Sequence, residues 1–284
     1  MPEGDTIYRA AAALRVALVG HPLLDFSAPR LVGPWPAKDR VIETVDSHGK
    51  HLEITWDDGL VLHTHMRLTG SWHLYRPGER WRKSAHQARA TIVVPDWIAV
   101  CFNAPIVETY RYADRHRHPG MGSLGPDLCR EDADLDECIR RLWYYEDPGA
   151  SIQDVLLDQR IACGVGNVYK CEVLFACRTS PFTPLDSLGD DERRVLLETA
   201  SHLLRANLGG GPRITTSSAP GGLAVYGRTG KPCVRCGTGI RAGRFGELAR
   251  ITYWCPTCQP GDGAPRAVDR DLDADQHRVR VRPR

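Results

Sequence analysis

The C-terminal part of this chain carries two cysteine pairs whose spacing leaves little choice of local fold. Cys233 and Cys236 form one Cys-x2-Cys pair, Cys255 and Cys258 form a second, and 18 residues separate the two pairs. Each pair lets two thiolates reach one ion, and two pairs on a β-hairpin complete a tetrahedral zinc shell with sulfur about 2.3 Å from the metal. Because four thiolates close that shell, the sequence predicts one structural Zn²⁺ in a hairpin finger.

The remaining cysteines show no metal spacing and are predicted to be small buried side chains. They are Cys101, Cys129, Cys138, Cys163, Cys171 and Cys177. No apolar run approaches the roughly 18 residues that a membrane helix needs, and the first residues lack the basic-then-apolar pattern of a secretory signal. We therefore expect a cytoplasmic protein, with reduced thiols and no membrane segment.

Charge is segregated along a chain whose net charge is only +2. The stretch 127–158 holds ten acidic residues and three arginines, whereas 205–254 holds seven arginines and one lysine against a single acid. A basic region in a nearly neutral protein suggests a surface for a polyanion. Charge alone leaves the alternative of an ordinary solvated face open.

Hydrophobic periodicity predicts an α+β protein of two domains. With 284 residues, 42% of them hydrophobic, the chain can build about two cores. A helix over 5–19 is predicted to pack on an antiparallel sandwich. The predicted strands are 41–46, 51–56, 60–66, 90–94 and 97–102.

A segment rich in glycine and proline at 113–127 predicts a hinge, and the pattern beyond it is helical. The predicted helical segments are 135–145, 151–159, 167–177 and 188–208. The last residues, 260–284, alternate aspartate with arginine and are predicted to be disordered.

Two of these helical segments flank the sequence CGVG at 163–166. Gly164 and Gly166 would let the backbone approach another molecule closely, and Asn167 lies where it can cap the second helix. The free amides at that helix start favour phosphate. An ordinary helical hairpin would show the same pattern, so this stretch by itself does not decide between the two.

Four features occur in order along the chain, namely PEGDT at the start, HGKHL in a turn, LLDQRIACGVGNVYKCEVL, and a finger that ends in RITYWCPTCQ. Together they make the chain resemble the formamidopyrimidine-DNA glycosylase/endonuclease VIII family from residue 2 to about 259, with PEGDT typical of the endonuclease VIII branch. The resemblance implies an N-terminal β-sandwich with a flanking helix, a hinge, a helix–two-turn–helix domain, a zinc β-hairpin finger and a tail. The boundaries that follow are 1–121, 122–130, 131–224, 225–259 and 260–284.

The resemblance places the chemistry at the first residues. Once Met1 is removed, the secondary amine of Pro2 would attack C1′ of a damaged nucleotide and form an iminium, whose charge makes the C2′ proton acidic. An α-amine is roughly a quarter to two-fifths unprotonated at pH 7.5, against about 0.1% for a lysine. Glu3 would shuttle protons, Lys50 would contact the reacting sugar or its phosphate, and Glu172 would support the proline. Taken singly, Lys50 and Glu172 also fit ordinary surface charges.

The resemblance also implies contacts with DNA. Asn167 and Arg250 would bind phosphates around an extruded nucleotide. In the endonuclease VIII branch a glutamine–leucine–tyrosine wedge fills the gap in the duplex, where this chain has Arg67, Leu68 and Thr69. Because threonine is too small to replace an aromatic ring, we expect a preference for single-stranded or open DNA, unless this loop is only a strand turn.

The sequence therefore predicts a bifunctional DNA glycosylase/AP lyase of base excision repair that removes oxidised pyrimidines and then cleaves the strand by β,δ-elimination. It is expected to be a monomer, to bind DNA with oxidised bases or abasic sites, and to be associated with the nucleoid. One alternative is a glycosylase for oxidised purines. Another is a zinc-dependent damage-binding protein without catalysis, which would not account for Pro2, Glu3 and Lys50 occurring together.

Overall fold

The computed structural model describes residues 2–246 and 249–261, and the predicted tail beyond residue 261 lies outside these described residues. The chain divides into two compact units, each built from several segments. The first unit comprises Met1–Tyr144, Asp158–Gly166 and Ala200–Gly211. The second unit comprises Tyr145–Leu157, Asn167–Thr199 and, among the described residues, 212–246 and 249–261.

The first unit contains a long N-terminal helix, α1 (Gly4–Leu18), two four-stranded antiparallel sheets and a shorter helix, α2 (Leu135–Trp143). The strands are β1 (Asp25–Ser27), β2 (Ile42–His48), β3 (His51–Trp56), β4 (Leu60–His65), β5 (Ser71–Tyr75), β6 (Ala88–Val93), β7 (Ile98–Phe102) and β8 (Ile106–Arg111). One sheet has the order β2-β3-β4-β8, and the other has the order β1-β6-β7-β5.

The two sheets and α1 share one hydrophobic core, to which alternate residues of each strand contribute. Leu52 and Ile54 of β3 are fully buried in it, together with Ile92 of β6 and Leu14 of α1. This alternation is the pattern from which the strands were predicted, since a sheet that is covered on one face buries every second side chain. The predicted β-sandwich with a flanking helix is confirmed.

The sequence pattern did not reveal β1, β5 or β8. In β8, Glu108 and Tyr110 occupy the face away from the core, but they are covered by a 3₁₀ segment, Tyr112–Arg117, and the residues that follow it. Arg115 of that segment donates three hydrogen bonds, from Nε and Nη2, to the carboxylate of Glu53 on β3. The outer face of the β2-β3-β4-β8 sheet is therefore a buried polar layer, which a simple inside–outside alternation does not predict.

The second unit contains a one-turn helix, α3 (Ile152–Val155), a second helix, α4 (Asn167–Ala176), and the first part of α5 (Asp190–Arg205), which ends in the first unit. Its antiparallel hairpin consists of β9 (Arg241–Phe245) and β10 (Arg250–Trp254). The predicted helical part and hairpin finger are confirmed. None of the helices in the described ranges is both long and apolar enough to span a bilayer.

The helix predicted over 151–159 is much shorter in the structure. The helix ends at Val155, and the next residues form a turn in which the amide of Leu157 donates to the carbonyl of Asp154. Further on, the side chain of Gln159 donates to the carbonyl of Val165 at 3.1 Å and accepts from the amide of Gly164 at 3.1 Å, which holds it against the glycine turn within the first unit.

Candidate active site and metal centre

The first residues are fixed to the glycine turn at 163–166. Glu3 immediately precedes α1 and is fully buried, and its carboxylate Oε2 accepts a hydrogen bond of 3.0 Å from the amide of Gly166. The amide of Gly4 donates to the carbonyl of Gly164 at 2.9 Å. A Cβ at Gly166 would lie only 2.3 Å from Cδ of Glu3, so only glycine fits at this position.

The turn that carries Lys50 reaches the same segment. It joins β2 to β3, and the amide of Gly49 donates a 3.0 Å hydrogen bond to Oδ2 of the buried Asp127. A Cβ at Gly49 would lie 2.7 Å from the sulfur of Cys163 and 3.0 Å from the nitrogen of Gly164. The first unit therefore brings the start of the chain and the Lys50 turn together on residues 163–166.

Asp127 was not among the residues predicted to matter. Its Oδ1 accepts from the amide of Cys129 at 3.0 Å, so the carboxylate joins the Lys50 turn to the segment predicted as the hinge, 122–130. Burial raises the pKa of the thiols of Cys129 and Cys163, which stay protonated as the predicted small buried side chains. The signal in the sequence was a lone carboxylate within the apolar, turn-forming stretch SLGPDLC.

The predicted wedge residues lie in a tight loop between β4 and β5. Arg67, Leu68 and Thr69 are all exposed, and Leu68 retains 57% of its accessible surface. The loop closes through a 2.9 Å hydrogen bond from the amide of Gly70 to the carbonyl of Met66. A leucine held at an exposed loop tip has the form of a side chain available for insertion into a base stack.

In the second unit, α4 is bonded to β10 at successive positions. Nδ2 of Asn167 donates to the carbonyl of Ile251 at 2.8 Å, next to Arg250 in the chain. Lys170, which is buried, donates from Nζ to Oγ1 of Thr252 at 2.8 Å. Oδ1 of Asn167 is buried without a hydrogen-bond partner among the described residues. Both predicted phosphate-binding residues are thus placed by the contact between α4 and the hairpin.

Glu172 has a well-defined set of partners within the second unit. Its carboxylate accepts hydrogen bonds from the hydroxyl of Thr215 and from the amides of Ala224, Val225 and Tyr226, the last at 2.8 Å. The side chain is 1% exposed. These contacts show an anchor for the 215–226 loop, and a role of Glu172 in support of Pro2 stays a prediction.

The four finger cysteines form a cluster that could hold a metal ion. All four sulfurs lie within 4.8 Å of one another, with 3.9 Å between Cys233 and Cys258 and 3.5 Å between Cys236 and Cys255. A tetrahedral shell with Zn–S bonds of about 2.3 Å has sulfur–sulfur edges of about 3.8 Å.

The surroundings of the cluster also suit a cation. Hydrogen bonds from Thr238 lower the pKa of Cys236 to about 6, while burial and the neighbouring sulfur of Cys236 raise the pKa of Cys258 to about 12. Amides of Arg235 and Cys258 point at finger sulfurs at 3.4 Å. The four sulfurs are compatible with a zinc finger. Once one thiol has ionised, repulsion between neighbouring thiolates keeps the other thiols protonated, and a divalent cation would relieve that repulsion.

The chain matches the family models described as formamidopyrimidine-DNA glycosylase N-terminal domain, over residues 1–105, and formamidopyrimidine-DNA glycosylase H2TH domain, over residues 124–218. It is 40% identical over 275 residues to the probable endonuclease 8 2 of Streptomyces coelicolor, which covers 95% of this chain and 98% of that protein. It is 37% identical over 264 residues to the DNA-(apurinic or apyrimidinic site) lyase Nei2 of Mycolicibacterium smegmatis, which covers 91% of this chain and 99% of that protein.

Solved structures agree with these relatives. The crystal structure of the MutM (Fpg) protein from Thermus thermophilus superposes with a TM-score of 0.74 at 30% identity, covering 91% of this chain and 98% of that one. A Lactococcus lactis Fpg in complex with DNA that contains an abasic site shares the fold, with a TM-score of 0.76 at 24% identity and coverage of 92% and 100%.

A β-sandwich that fixes the first residues, a helical unit and a four-cysteine hairpin define a class of DNA repair glycosylases. The chain belongs to the formamidopyrimidine-DNA glycosylase/endonuclease VIII family.

Two glycine substitutions test whether the Lys50 turn depends on its fit to residues 163–166. Gly49 and Gly59 both lie in hairpin turns with positive φ, 56° and 75°, but a Cβ at Gly59 meets nothing within 4 Å. Gly59→Ala should cost about 1 kcal/mol from backbone strain. Gly49→Ala should cost a further 1–3 kcal/mol, roughly, from overpacking. Denaturant unfolding measures both, and equal losses would contradict the packing of this turn.

Proposed function

We propose that this glycosylase and AP lyase removes oxidised pyrimidines from DNA, with the amine of Pro2 as its nucleophile. The class of enzyme follows from membership of the family, and the choice of lesion and the roles of individual residues are the proposal. The observation that carries it is the anchoring of Glu3 and Gly4 on the glycine turn, since a terminal amine can act as a nucleophile only if it is held in place.

The reaction can be written from this arrangement. The unprotonated amine of Pro2 attacks C1′, the damaged base leaves with the electrons of the glycosidic bond, and the attacking nitrogen loses its proton. The C1′–O4′ bond of the sugar then breaks, its electrons stay on the ring oxygen, which takes up a proton, and the nitrogen lone pair forms the cationic iminium. Loss of the C2′ proton then expels the 3′ phosphate, and a second elimination expels the 5′ phosphate. Glu3, whose carboxylate lies directly beside Pro2 in the chain, would carry protons during ring opening and elimination.

Lys50 supplies the second part of the proposed site. Its ammonium, at the end of a turn that packs on the same segment as Glu3, is suited to a sugar oxygen or a phosphate of the reacting nucleotide. Asn167 and Arg250 are proposed to bind phosphates, and Arg67, Leu68 and Thr69 to replace the extruded base. Glu172 is proposed to act on the site indirectly, through the loop that it anchors.

The finer organisation is proposed along with the chemistry. One zinc ion is expected to be held by Cys233, Cys236, Cys255 and Cys258 as a structural element of the finger. We propose that the functional domains of the chain end at residues 121, 130, 224 and 259. The enzyme is proposed to act as a monomer in the cytoplasm, in association with the nucleoid. An activity on oxidised purines is the alternative that a lesion panel would decide.

Capping the first amine tests the nucleophile. Chain processed to Pro2 should form a borohydride-reduced adduct with an oligonucleotide that contains an abasic site, because reduction traps the iminium. A form that retains an N-terminal extension should form no adduct and still bind the same DNA, and a C-terminal extension of equal length is the control. Mass spectrometry of the adduct that located the bond on an interior side chain would refute the assignment.

The wedge proposal concerns strand preference. With Thr69 in place of an aromatic residue, excision of thymine glycol or dihydrouracil should be faster from single strands than from duplexes of the same sequence. Thr69→Tyr should raise the rate on duplex DNA while leaving the single-strand rate nearly unchanged, because only the duplex has a gap to fill. Wild-type rates on duplex equal to or above those on single strands would remove the basis for this preference.

Removal of one finger ligand tests the metal. Cys255→Ser should abolish the binding of one zinc equivalent and weaken DNA affinity, because the hairpin loses its closed shell. Cys177→Ser is a matched control, since Cys177 lies outside the finger and its thiol donates to the hydroxyl of Thr199 and the carbonyl of Val195, not to a finger residue, in the hydrogen bonds described. Unchanged DNA affinity after measured loss of the zinc would count against a structural role.

A further inference from the structure

The outer face of the β2-β3-β4-β8 sheet contains a buried chain of hydrogen-bonded imidazoles. His51 on β3 lies opposite His65 on β4, and His63 on β4 lies opposite Glu108 on β8. Nδ1 of His51 lies 2.8 Å from Nε2 of His63, and Nδ1 of His63 lies 2.8 Å from Oε1 of Glu108. His63 is 1% exposed and His51 is 8% exposed.

The carboxylate of Glu108, at one end of this hydrogen-bonded series, determines which atom donates in each bond. The hydrogen bond from His63 holds the pKa of Glu108 below its ordinary value, so Glu108 is ionised and can only accept. Nδ1 of His63 must then carry the proton, and in a neutral ring Nε2 is an acceptor. With a neutral ring at His63, His51 donates from Nδ1, which leaves its Nε2 with an unprotonated lone pair.

At the other end of this hydrogen-bonded series, His51 lies beside the proposed active site. His51 directly follows Lys50, and the charge of Lys50 contributes to the field at both His51 and His65. Burial, followed by the nearby ring of His65, lowers the pKa of His51 to about 2, and burial lowers the pKa of His65 to about 4. The amide of Arg67 donates to Nδ1 of His65 at 3.3 Å, which fixes that ring with its proton on Nε2. Both rings are therefore neutral beside Lys50.

We propose that Glu108, His63 and His51 are positioning residues for Lys50, forming a proton-ordered relay that holds neutral imidazoles of fixed tautomer beneath the active-site turn. The relay keeps the positive charge at this end of the sheet on Lys50, where it can act on the sugar or phosphate, rather than spreading it over the rings. This inference rests on the proposed role of Lys50 in the reaction.

Other charged and titratable groups face the relay and belong to its setting. Arg115 pairs with Glu53, which also accepts from the hydroxyl of Tyr110, and Nε2 of His118 lies 3.1 Å from Oε1 of Glu108. The charges of His48 at the end of β2, of Lys50 in the β2–β3 turn and of Arg67 in the β4–β5 loop also act on the rings.

The relay itself can be observed without any activity measurement. Long-range ¹H–¹⁵N spectra of the full chain should show His51 and His63 protonated at Nδ1, with His51 not titrating between pH 8 and pH 5. Glu108→Leu removes the acceptor and should mix the tautomers of both rings, whereas Glu108→Gln keeps an acceptor oxygen and should partly preserve the order. An imidazolium at His63 at pH 7.5, or a proton on Nε2 of His51, would overturn the assignment.

Single-turnover borohydride trapping on an abasic oligonucleotide then connects the relay to Lys50. Glu108→Leu should slow trapping about tenfold, the scale expected when an outer partner that orients a functional group is lost. DNA affinity should be unchanged, and Glu108→Gln should recover part of the rate. Tyr110→Phe is the matched control, since it removes a hydrogen bond from the same buried face outside the relay.

The outcomes separate the possible explanations. Equal slowing in Glu108→Leu and Tyr110→Phe, in step with equal losses of thermal stability, would reduce the relay to ordinary packing. A second bound zinc equivalent that His118→Ala removes and Cys255→Ser does not would assign His63, Glu108 and His118 to a cation and overturn the relay. If the wild-type chain formed no adduct, the proposed function would fail while the spectra still tested the proton order.

Discussion

The contact between the amide of Gly166 and the carboxylate of Glu3 is the interaction on which the rest of the first unit's functional geometry depends. The carboxylate can come this close because Gly166 has no Cβ, and a Cβ there would lie 2.3 Å from Cδ of Glu3. The next residue along, Gly4, adds a backbone hydrogen bond to Gly164. The turn before Lys50 rests on the same segment, so one short stretch sets the position of both ends of the proposed chemistry.

In each unit, backbone amides donate hydrogen bonds to a buried carboxylate. Asp127 in the first unit accepts from the amides of Gly49 and Cys129, and Glu172 in the second accepts from the amides of Ala224, Val225 and Tyr226. Hydrogen bonds to an ionised acceptor are roughly twice as strong as neutral ones. In each unit, therefore, one buried carboxylate holds a loop in place through the amides of that loop.

Sequence reasoning worked where one property of a residue decides its place. Alternation of apolar residues located five strands, and cysteine spacing located the finger, because burial and thiolate geometry are local signals. It failed for β8 and the imidazole chain, since whether Glu108 faces water depends on a segment that folds over it. It also missed Asp127, Lys170 and the partners of Glu172, because a buried charge is recognisable only from the donors that surround it. The glycines of CGVG were interpreted in terms of an external molecule, whereas within the first unit they admit the chain's own first residues.

The junction at residues 163–166 joins main-chain amides to buried side chains, and this has a consequence for how such an enzyme can diversify. A substitution there would have to preserve a contact with Glu3 that leaves no room for a Cβ at Gly166, so the junction tolerates little change. The loop at 67–69 has the opposite character, because its three side chains are exposed and lie outside the hydrophobic core. Changes in this loop can therefore alter what the protein contacts, while the first residues of the chain stay tied to the glycine turn.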